Sequence, residues 1–251
     1  MTKGDTIPIK FADLAEALVL LTRLPVQMGV PRGAQAAWAW PLVGLVVGGL
    51  AALVAAIGWA LGLPVGVVAG LALVTQAIVT GAMHEDGLAD CADGFWGGQT
   101  PERRLEIMKD SRIGAYGVLA LIFVVLLKWQ ALTYLMTYGH FILPLLAVGL
   151  FSRLPMLVLM HYLAFARQDG LARHVGQPEA ATVGIGAVVA VLVAIFLTGY
   201  WAIVLVIVSG LVTIVCGRLA LAKIGGQTGD VHGGAQQLTE LAVLFALCAL
   251  I

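Results

Sequence analysis

The chain has 251 residues, of which 61% are hydrophobic and 11% are charged, and its mean hydropathy is +0.99. Soluble domains carry about 25% charged residues, so this composition excludes an ordinary soluble globular protein. Fourteen basic and fourteen acidic residues leave no net charge, which argues against a nucleic acid as a partner. Cys91, Cys216 and Cys248 show no CxxC spacing and indicate neither a disulfide framework nor a zinc site.

Residues 11–25, FADLAEALVLLTRLP, form the first predicted element. One face of this stretch is apolar, but it also carries Asp13, Glu16 and Arg23. A segment of this kind is typical of a helix that lies at the membrane interface or re-enters the membrane, and its final proline would end it.

Seven stretches approach or exceed the roughly 20 apolar residues that a helix needs to cross a bilayer. They lie at about 38–62, 64–83, 113–136, 140–163, 182–199, 201–222 and 238–251. We therefore predict an all-α, polytopic helical bundle in the lipid bilayer, with residues 1–251 forming one integral membrane domain. The last stretch is short for a full crossing. Pairs such as Gly44 and Gly48 have the small-xxx-small spacing that lets membrane helices approach closely.

The distribution of charge supports this number of spans. If the loops alternate between two sides, one side collects every acidic residue and twelve of the fourteen basic residues. Those twelve are Lys3, Lys10, Arg23, Arg32, Arg103, Arg104, Lys109, Arg112, Arg167, Arg173, Arg218 and Lys223. Because short cytoplasmic loops collect Lys and Arg, we expect the N-terminus and all polar loops in the cytoplasm.

The remaining two basic residues, Lys128 and Arg153, fall within predicted spans. Lys128 is nearer a helix end and could extend its amine to the membrane surface. Arg153 lies in mid-span, where a charge needs a partner inside the bundle, and it is also a candidate substrate-binding residue.

Residues 84–98, HEDGLADCADGFWGG, place four carboxylates within nine residues: Glu85, Asp86, Asp90 and Asp93. In a helix, the three aspartates have i, i+4, i+7 spacing and project from one face, with Glu85 beside them. A cluster of oxygen ligands without nitrogen or sulfur is what a hard ion such as Mg²⁺ binds. We therefore predict a Mg²⁺ site formed by these four residues.

Two residues of this segment are candidates for catalysis. Asp93 is the last acid before the chain turns, which makes it the candidate general base. His84 could act as a ligand, as a base or as a structural residue at a helix end. The alternative for the whole segment is a solvated loop, but such loops usually mix charges of both signs.

A basic block follows the acids, and it contains Arg103, Arg104, Lys109 and Arg112. These residues could bind substrate phosphates, or they could be anchors on the cytoplasmic side of the membrane. Carboxylates that hold a metal and cations that bind phosphate are the components of phosphoryl transfer, which is the reaction class we predict.

A second polar segment, residues 223–240, reads KIGGQTGDVHGGAQQLTE. Its glycines predict a loop whose backbone lies close to phosphate or metal, and the alternative is a flexible connector. Asp230 is expected to complete the metal site or to orient a substrate hydroxyl, which requires the two polar segments to meet. The candidate substrate-binding residues here are Gly225, Gly226, Thr228 and His232.

These segments, together with ERRLEIMKDSRIGAYG at 102–117 and TRLPV at 22–26, resemble the cobalamin synthase family, adenosylcobinamide-GDP ribazoletransferase. The resemblance implies a Mg²⁺-dependent enzyme of the bacterial inner (plasma) membrane with its active site on the cytoplasmic face. Its substrates would be adenosylcobinamide-GDP and α-ribazole or α-ribazole 5′-phosphate. The products would be GMP and adenosylcobalamin or its 5′-phosphate.

Two other functions remain open at this point. A phosphotransferase acting on CDP-alcohols also combines an acidic metal motif with several spans. A transporter would place ionisable groups near the bilayer midplane, whereas these acids collect at the ends of the spans. That difference favours an enzyme.

Overall fold

The structure, a computed structural model, describes residues 9–250. This range contains twelve α-helices, one 3₁₀ helix and no β-strand, which confirms the all-α prediction. The elements are α1 (Ala12–Leu21), η1 (Gly33–Ala39), α2 (Trp40–Ala60), α3 (Val65–Thr80), α4 (Met83–Gly97), α5 (Pro101–Ile107), α6 (Ala115–Thr137), α7 (Ile142–Ser152), α8 (Leu154–Tyr162), α9 (Leu171–Val175), α10 (Ala180–Thr198), α11 (Trp201–Ile224) and α12 (Gly229–Leu250). Lys3 and Ile251, which entered the predictions above, lie outside the described residues.

Within residues 9–250, six helical segments are long and apolar enough to cross a membrane. They are Gly33–Ala60, Ala115–Thr137, Ile142–Tyr162, Ala180–Thr198, Trp201–Ile224 and Gly229–Leu250. Helices α3 and α4 pass the same test only as a pair, and they meet at 89°. The protein is therefore a multi-pass helical membrane protein with six or seven spans, as predicted.

The prediction for the second polar segment was wrong in one respect. Helix α12 begins at Gly229, so the connection from α11 is much shorter than the predicted loop, and the last span does not begin at 238. Several polar residues in its first half are buried and hydrogen-bonded to other helices, among them Gln237 and Glu240. Because these polar groups find partners inside the bundle, the helix continues through a stretch whose composition suggested a loop.

Helix α1 confirms the predicted N-terminal helix, and a buried carboxylate holds it in place. Asp13 is fully buried and accepts hydrogen bonds from Arg32 Nη1 at 2.6 Å and from Trp38 Nε1 at 2.7 Å. Since Arg32 and Trp38 belong to the segment around η1, this contact fastens α1 against the start of α2.

Helices α2 and α7 approach each other through glycines. A Cβ atom on Gly44 would lie 1.9 Å from the carbonyl oxygen of Gly149, and one on Gly48 would lie 2.3 Å from that of Leu145. The predicted close approach at Gly44 and Gly48 is confirmed, because any side chain would push the two helices apart.

The bend between α3 and α4 sets the direction of the acidic segment. Gly81 and Ala82 both have left-handed backbone conformations, with φ of 66° and 55°. Such a conformation is costly for alanine, and neighbouring contacts maintain it. The Arg23 side chain packs against Gly81, and the backbone N–H of Arg23 donates to Val79 O at 2.7 Å. The chain after α1 therefore supports the bend that presents α4.

Helix α4 then crosses the first turn of α12 at two glycines. A Cβ atom on Gly87 would lie 2.8 Å from Asp230 O, and one on Gly233 would lie 3.1 Å from His84 O. The absence of side chains at these positions allows the two backbones to touch. The two polar segments, more than a hundred residues apart in the chain, therefore meet as the shared-site prediction requires.

Candidate active site

Three carboxylates come together where α4 meets α12. Asp86 and Asp90 lie one helical turn apart on α4, and Asp230 lies in the first turn of α12. Asp90 is partly buried and is repelled most strongly by Asp230 and then by Asp86. Like charges this close are unfavourable unless a proton or a cation intervenes. We refer to Asp86, Asp90 and Asp230 as the carboxylate cluster.

The carboxylate cluster has the donor chemistry that suits Mg²⁺. Within residues 9–250, no group of three or more His, Cys, Asp and Glu side chains is arranged as a ready-made metal site. Mg²⁺ does not need one, because it commonly keeps several waters and is held by one or two carboxylates together with substrate phosphates. Asp86 is exposed and can reach a solvated ion, so the residues present fit the predicted metal.

Arg167 is the cation nearest the carboxylate cluster, and the sequence analysis did not single it out. Its Nη2 atom lies 3.3 Å from Asp230 Oδ2. Its Nη1 atom is buried and has no hydrogen-bond partner. A buried guanidinium N–H without a partner is costly, and a substrate oxygen could satisfy it. Arg167 lies in the loop between α8 and α9, where nothing in the local sequence indicates proximity to Asp230.

The structure gives Asp93 a different role from the predicted one. Its two carboxylate oxygens accept backbone N–H groups at the start of α6, from Gly114 at 2.7 Å and from Gly117 at 2.9 Å. A carboxylate in this position caps the helix and interacts favourably with its dipole. Because each oxygen already accepts a backbone N–H, we assign Asp93 as a helix cap, and its roles as general base and metal ligand remain predictions.

Glu85 also departs from the predicted metal site. It points into the bundle, where Oε1 accepts a hydrogen bond from Gln237 Nε2 at 2.9 Å. Its Oε2 atom is buried without a partner, and its charge acts on Arg153 rather than on Asp90. Adjacent residues of a helix point about 100° apart, so Glu85 leaves the face that Asp86 and Asp90 share.

Glu85 belongs to a group of charged and hydrogen-bonded side chains inside the bundle, which we call the interior ion network: Glu85, Lys128, Arg153, Gln237 and Glu240. Lys128 Nζ donates to Glu240 Oε2 at 2.6 Å and to Gln237 Oε1 at 2.9 Å, and Arg153 Nη1 donates to Glu240 Oε1 at 3.1 Å. These contacts correct two predictions, because Lys128 does not extend to the surface and Glu240 does not lie in a cytoplasmic loop. Arg153 has the partner inside the bundle that a mid-span charge needs, and its role in substrate binding remains a prediction. His84 is buried beside them, and its Nε2 atom has no partner.

The four predicted phosphate-binding cations make their ion pairs and hydrogen bonds with residues outside the carboxylate cluster. Arg103 pairs with Glu106, Lys109 with Asp169, and Arg112 with Asp110 on the surface. Arg112 holds the pKa of Asp110 down at about 2. Arg104 donates to Gly98 O at 3.0 Å and to Lys223 O at 2.8 Å, which joins α5 to the end of α11. The geometry therefore supports anchoring and structural roles for this block.

Most of the residues between α11 and α12 support the backbone near the cluster. Gly225 ends α11 with φ of 73°, and a Cβ atom on Gly226 would lie 2.2 Å from Ala164 O. Thr228 Oγ1 accepts the N–H of Val231 at 3.3 Å and donates to Asp230 Oδ2 at 3.1 Å. These residues position Asp230, whereas direct substrate binding by Gly225, Gly226 or Thr228 remains a prediction.

Gln227 holds the segment after α8 beside this connection. Its backbone pairs with Ala164 and Ala166, and its side-chain Nε2 donates to Leu163 O at 2.6 Å. Its Oε1 lies 2.6 Å from His232 Nε2, while His232 Nδ1 is buried and has no partner. This arrangement brings the loop that carries Arg167 to the start of α12.

A cavity of about 160 Å³, which we call the central cavity, opens beside the cluster. The polar residues that line it are Asp86, Arg167, Asp230, His84 and His232. The rest of its lining is mostly apolar and includes Leu20, Trp40, Met156, Met160 and Val175. A neighbouring cavity of about 490 Å³, the side cavity, lies between α1 and α9 and shares Leu20, Trp40, Met83, Leu171 and Val175 with the first.

The fold and the site together define a multi-pass helical membrane protein with a carboxylate cluster and a guanidinium at the mouth of an internal cavity. Residues 13–248 match the cobalamin-5-phosphate synthase family, and the chain belongs to that family. This result agrees with the resemblance seen in the sequence segments, and it identifies the protein as a member of an enzyme family of cobalamin synthesis.

Curated relatives are similar in sequence to this chain over almost its whole length. A protein of Mesorhizobium japonicum is 43% identical over 235 residues, which cover 92% of this chain and 91% of the relative. A protein of Bradyrhizobium diazoefficiens is 43% identical over 250 residues, covering 98% and 96%. Both are named adenosylcobinamide-GDP ribazoletransferase. No solved structure matches the chain.

Proposed function

We propose that this protein is a Mg²⁺-dependent adenosylcobinamide-GDP ribazoletransferase. It would join adenosylcobinamide-GDP to α-ribazole, or to α-ribazole 5′-phosphate, and release GMP. The observation that carries the proposal is the meeting of Asp86, Asp90 and Asp230 beside Arg167, with Asp86, Asp230 and Arg167 lining the central cavity. The names of the relatives supply the corrinoid and the nucleoside, which the geometry alone does not specify.

In the proposed reaction, a ribazole hydroxyl oxygen attacks the phosphorus that is bonded to cobinamide. A new P–O bond forms, the bond from that phosphorus to the GMP oxygen breaks, and the hydroxyl proton leaves to solvent or to a carboxylate. Arg167 can donate its unpaired Nη1–H to a substrate phosphate oxygen and stabilise negative charge there. Asp230 is fixed by Thr228 and by the helix start, so the site is organised before substrate arrives.

The carboxylate cluster would hold Mg²⁺ through Asp86 and Asp90, with Asp230 completing the site from α12. When bound, the ion would neutralise the diphosphate and stabilise the leaving oxygen. Asp90 and Asp230 are partly shielded from water, which strengthens their interaction with any cation that binds between them.

We further infer that the protein lies in the bacterial inner (plasma) membrane with the cluster on the cytoplasmic side. The support is the positive-inside distribution of Lys and Arg, together with the location of the cluster at the ends of α3 and α11 and the start of α12. A cysteine at Gln99, an exposed position after α4, should react with a membrane-impermeant maleimide only in inverted vesicles. Labelling in intact spheroplasts would contradict this orientation.

The transporter alternative has one structural feature in its favour, which is the interior ion network. Two basic and two acidic side chains in this network balance one another, and none of the four lines the central or the side cavity. Because these four charges balance and line neither cavity, they are better explained as structural contacts than as an ion pathway.

The decisive test is an assay of the purified full-length protein in lipid nanodiscs. With adenosylcobinamide-GDP, α-ribazole and Mg²⁺, we expect equal amounts of GMP and of adenosylcobalamin, and no GMP when chelator replaces Mg²⁺. Parallel reactions with α-ribazole 5′-phosphate would show which acceptor is preferred. Failure to release GMP with either acceptor, from protein shown to be folded, would refute the proposed function.

A further inference from the structure

The central cavity combines an apolar wall with buried polar atoms that have no partner. His84 Nε2 and His232 Nδ1 both lack a hydrogen bond, and both residues line the cavity. The two histidine side chains are 1% and 5% exposed, so bulk water does not reach them freely. A buried ring nitrogen without a partner costs free energy, which a ligand with hydroxyl groups could recover.

The apolar part of the lining suits a flat, apolar group. Trp40 and Met156 are almost completely buried, and Met160 and Ala172 complete the surface around them. Aromatic rings pack well against tryptophan and against the polarisable sulfur of methionine. The wall continues into the side cavity, so the space for an apolar group is larger than the central cavity alone.

We propose that the central cavity, with the adjoining part of the side cavity, binds the acceptor nucleoside, with its apolar aromatic base against Trp40 and its ribose toward His84 and His232. This assignment rests on the proposed function and deepens it. α-Ribazole is a nucleoside whose base is an apolar benzimidazole, and its ribose supplies hydroxyl groups. Asp86 and Asp230 line the same cavity as the two histidines, so a ribose bound there lies next to the carboxylate cluster.

Other occupants fit less well. A corrinoid is a large macrocycle with polar amide side chains, and it matches neither the size nor the apolar wall of a cavity of about 160 Å³. We therefore place the corrinoid outside this cavity. A lipid acyl chain would match the apolar wall, but it would leave the two histidine nitrogens without partners.

Helix α9 offers a way to test the cavity without changing the cluster. Ala172 is buried and lines the central cavity, and Leu171 is 49% exposed and lines both cavities. Ala172→Phe would fill the space for the base. Ala120→Phe is the matched control, because Ala120 lines a separate apolar cavity of about 230 Å³ between α4, α6, α11 and α12.

The experiment measures KM for each substrate separately in nanodiscs. We expect Ala172→Phe to raise KM for α-ribazole by roughly tenfold or more, the equivalent of about 1.4 kcal/mol, while KM for adenosylcobinamide-GDP changes less than about twofold. Ala120→Phe should leave both values near those of the unmodified protein. If Ala172→Phe does not fold, Leu171→Trp serves the same purpose from a position that tolerates a larger side chain.

A second measurement does not depend on turnover. α-Ribazole alone should raise the unfolding temperature of the unmodified protein and of Ala120→Phe, but not of Ala172→Phe, since a ligand stabilises the state that binds it. If Ala172→Phe instead raises KM for adenosylcobinamide-GDP, the cavity assignment is wrong while the proposed function stands. If no variant releases GMP but α-ribazole still stabilises the protein through this cavity, the proposed function fails and the binding site remains.

Discussion

Helix α4 separates two groups of charged residues that differ in how their charges are balanced. Toward the bundle, Glu240 pairs with both Lys128 and Arg153, Glu85 supplies a second carboxylate, and the members of the interior ion network are largely buried. On the other face, the carboxylate cluster sets three carboxylates against Arg167 alone. Buried charges that are paired are typical of structural contacts, whereas unbalanced charges beside a cavity are typical of a ligand-binding site. Charge within a span therefore does not by itself identify the active site.

Glu240→Gln should have the largest effect, and it should act on stability. It removes the carboxylate that forms the ion pairs with both Lys128 and Arg153, and breaking a buried pair in this way costs about 3–5 kcal/mol. We expect a large fall in the unfolding temperature in detergent. Lys128→Met added to Glu240→Gln should recover part of the loss, because it removes one uncompensated charge. Glu102→Gln, the same change on the exposed surface of α5, is the control.

Asp90→Asn should show the opposite behaviour, with loss of turnover and little loss of stability. The amide keeps the shape of the side chain but removes the charge that would hold Mg²⁺, so turnover should fall by roughly a hundredfold or more. Asp86→Asn should behave in the same way, and added Mg²⁺ should restore part of the activity. Activity within a few fold of the unmodified protein across a full Mg²⁺ titration would exclude a ligand role.

Arg167→Gln tests the residue that joins the cluster to the cavity. Loss of a charge-assisted hydrogen bond to a substrate phosphate is worth about 1.5–3 kcal/mol, so kcat/KM should fall by roughly tenfold to a hundredfold. Arg218→Gln is the control, because Arg218 is an exposed arginine on α11. Unchanged kinetics in Arg167→Gln would show that Arg167 only neutralises Asp230.

Asp93→Asn should give the smallest effect and would settle the role of this residue. If Asp93 is a helix cap, the substitution should lower the free energy of unfolding by about 1 kcal/mol, because the cap loses its charge. Turnover should fall by less than about tenfold. Unfolding temperature and kcat measured on the same preparation would distinguish the cap from a base. A loss of turnover as large as that of Asp90→Asn would restore the original assignment.

The i, i+4 pairing of Asp86 and Asp90 could be predicted because it depends only on the helical repeat. The direction of Glu85 could not, since it depends on which face of α4 packs against α12. That choice is made at Gly87 and Gly233, where the two backbones touch. The basic block was predicted to bind substrate for a similar reason. The surface partners of Lys109 and Arg112 are seen only in the folded chain.

The class of protein, the approximate positions of most spans, the N-terminal helix and the acidic segment could all be predicted from the sequence. These features follow from composition and from local periodicity, which act over a few turns of a helix. The pairing of the charges, and hence which of them can bind a ligand, depends on the folded bundle. Arg167 and Asp230, and likewise Lys128 and Glu240, are far apart in the chain, and their pairing depends on how separate helices pack in the bundle.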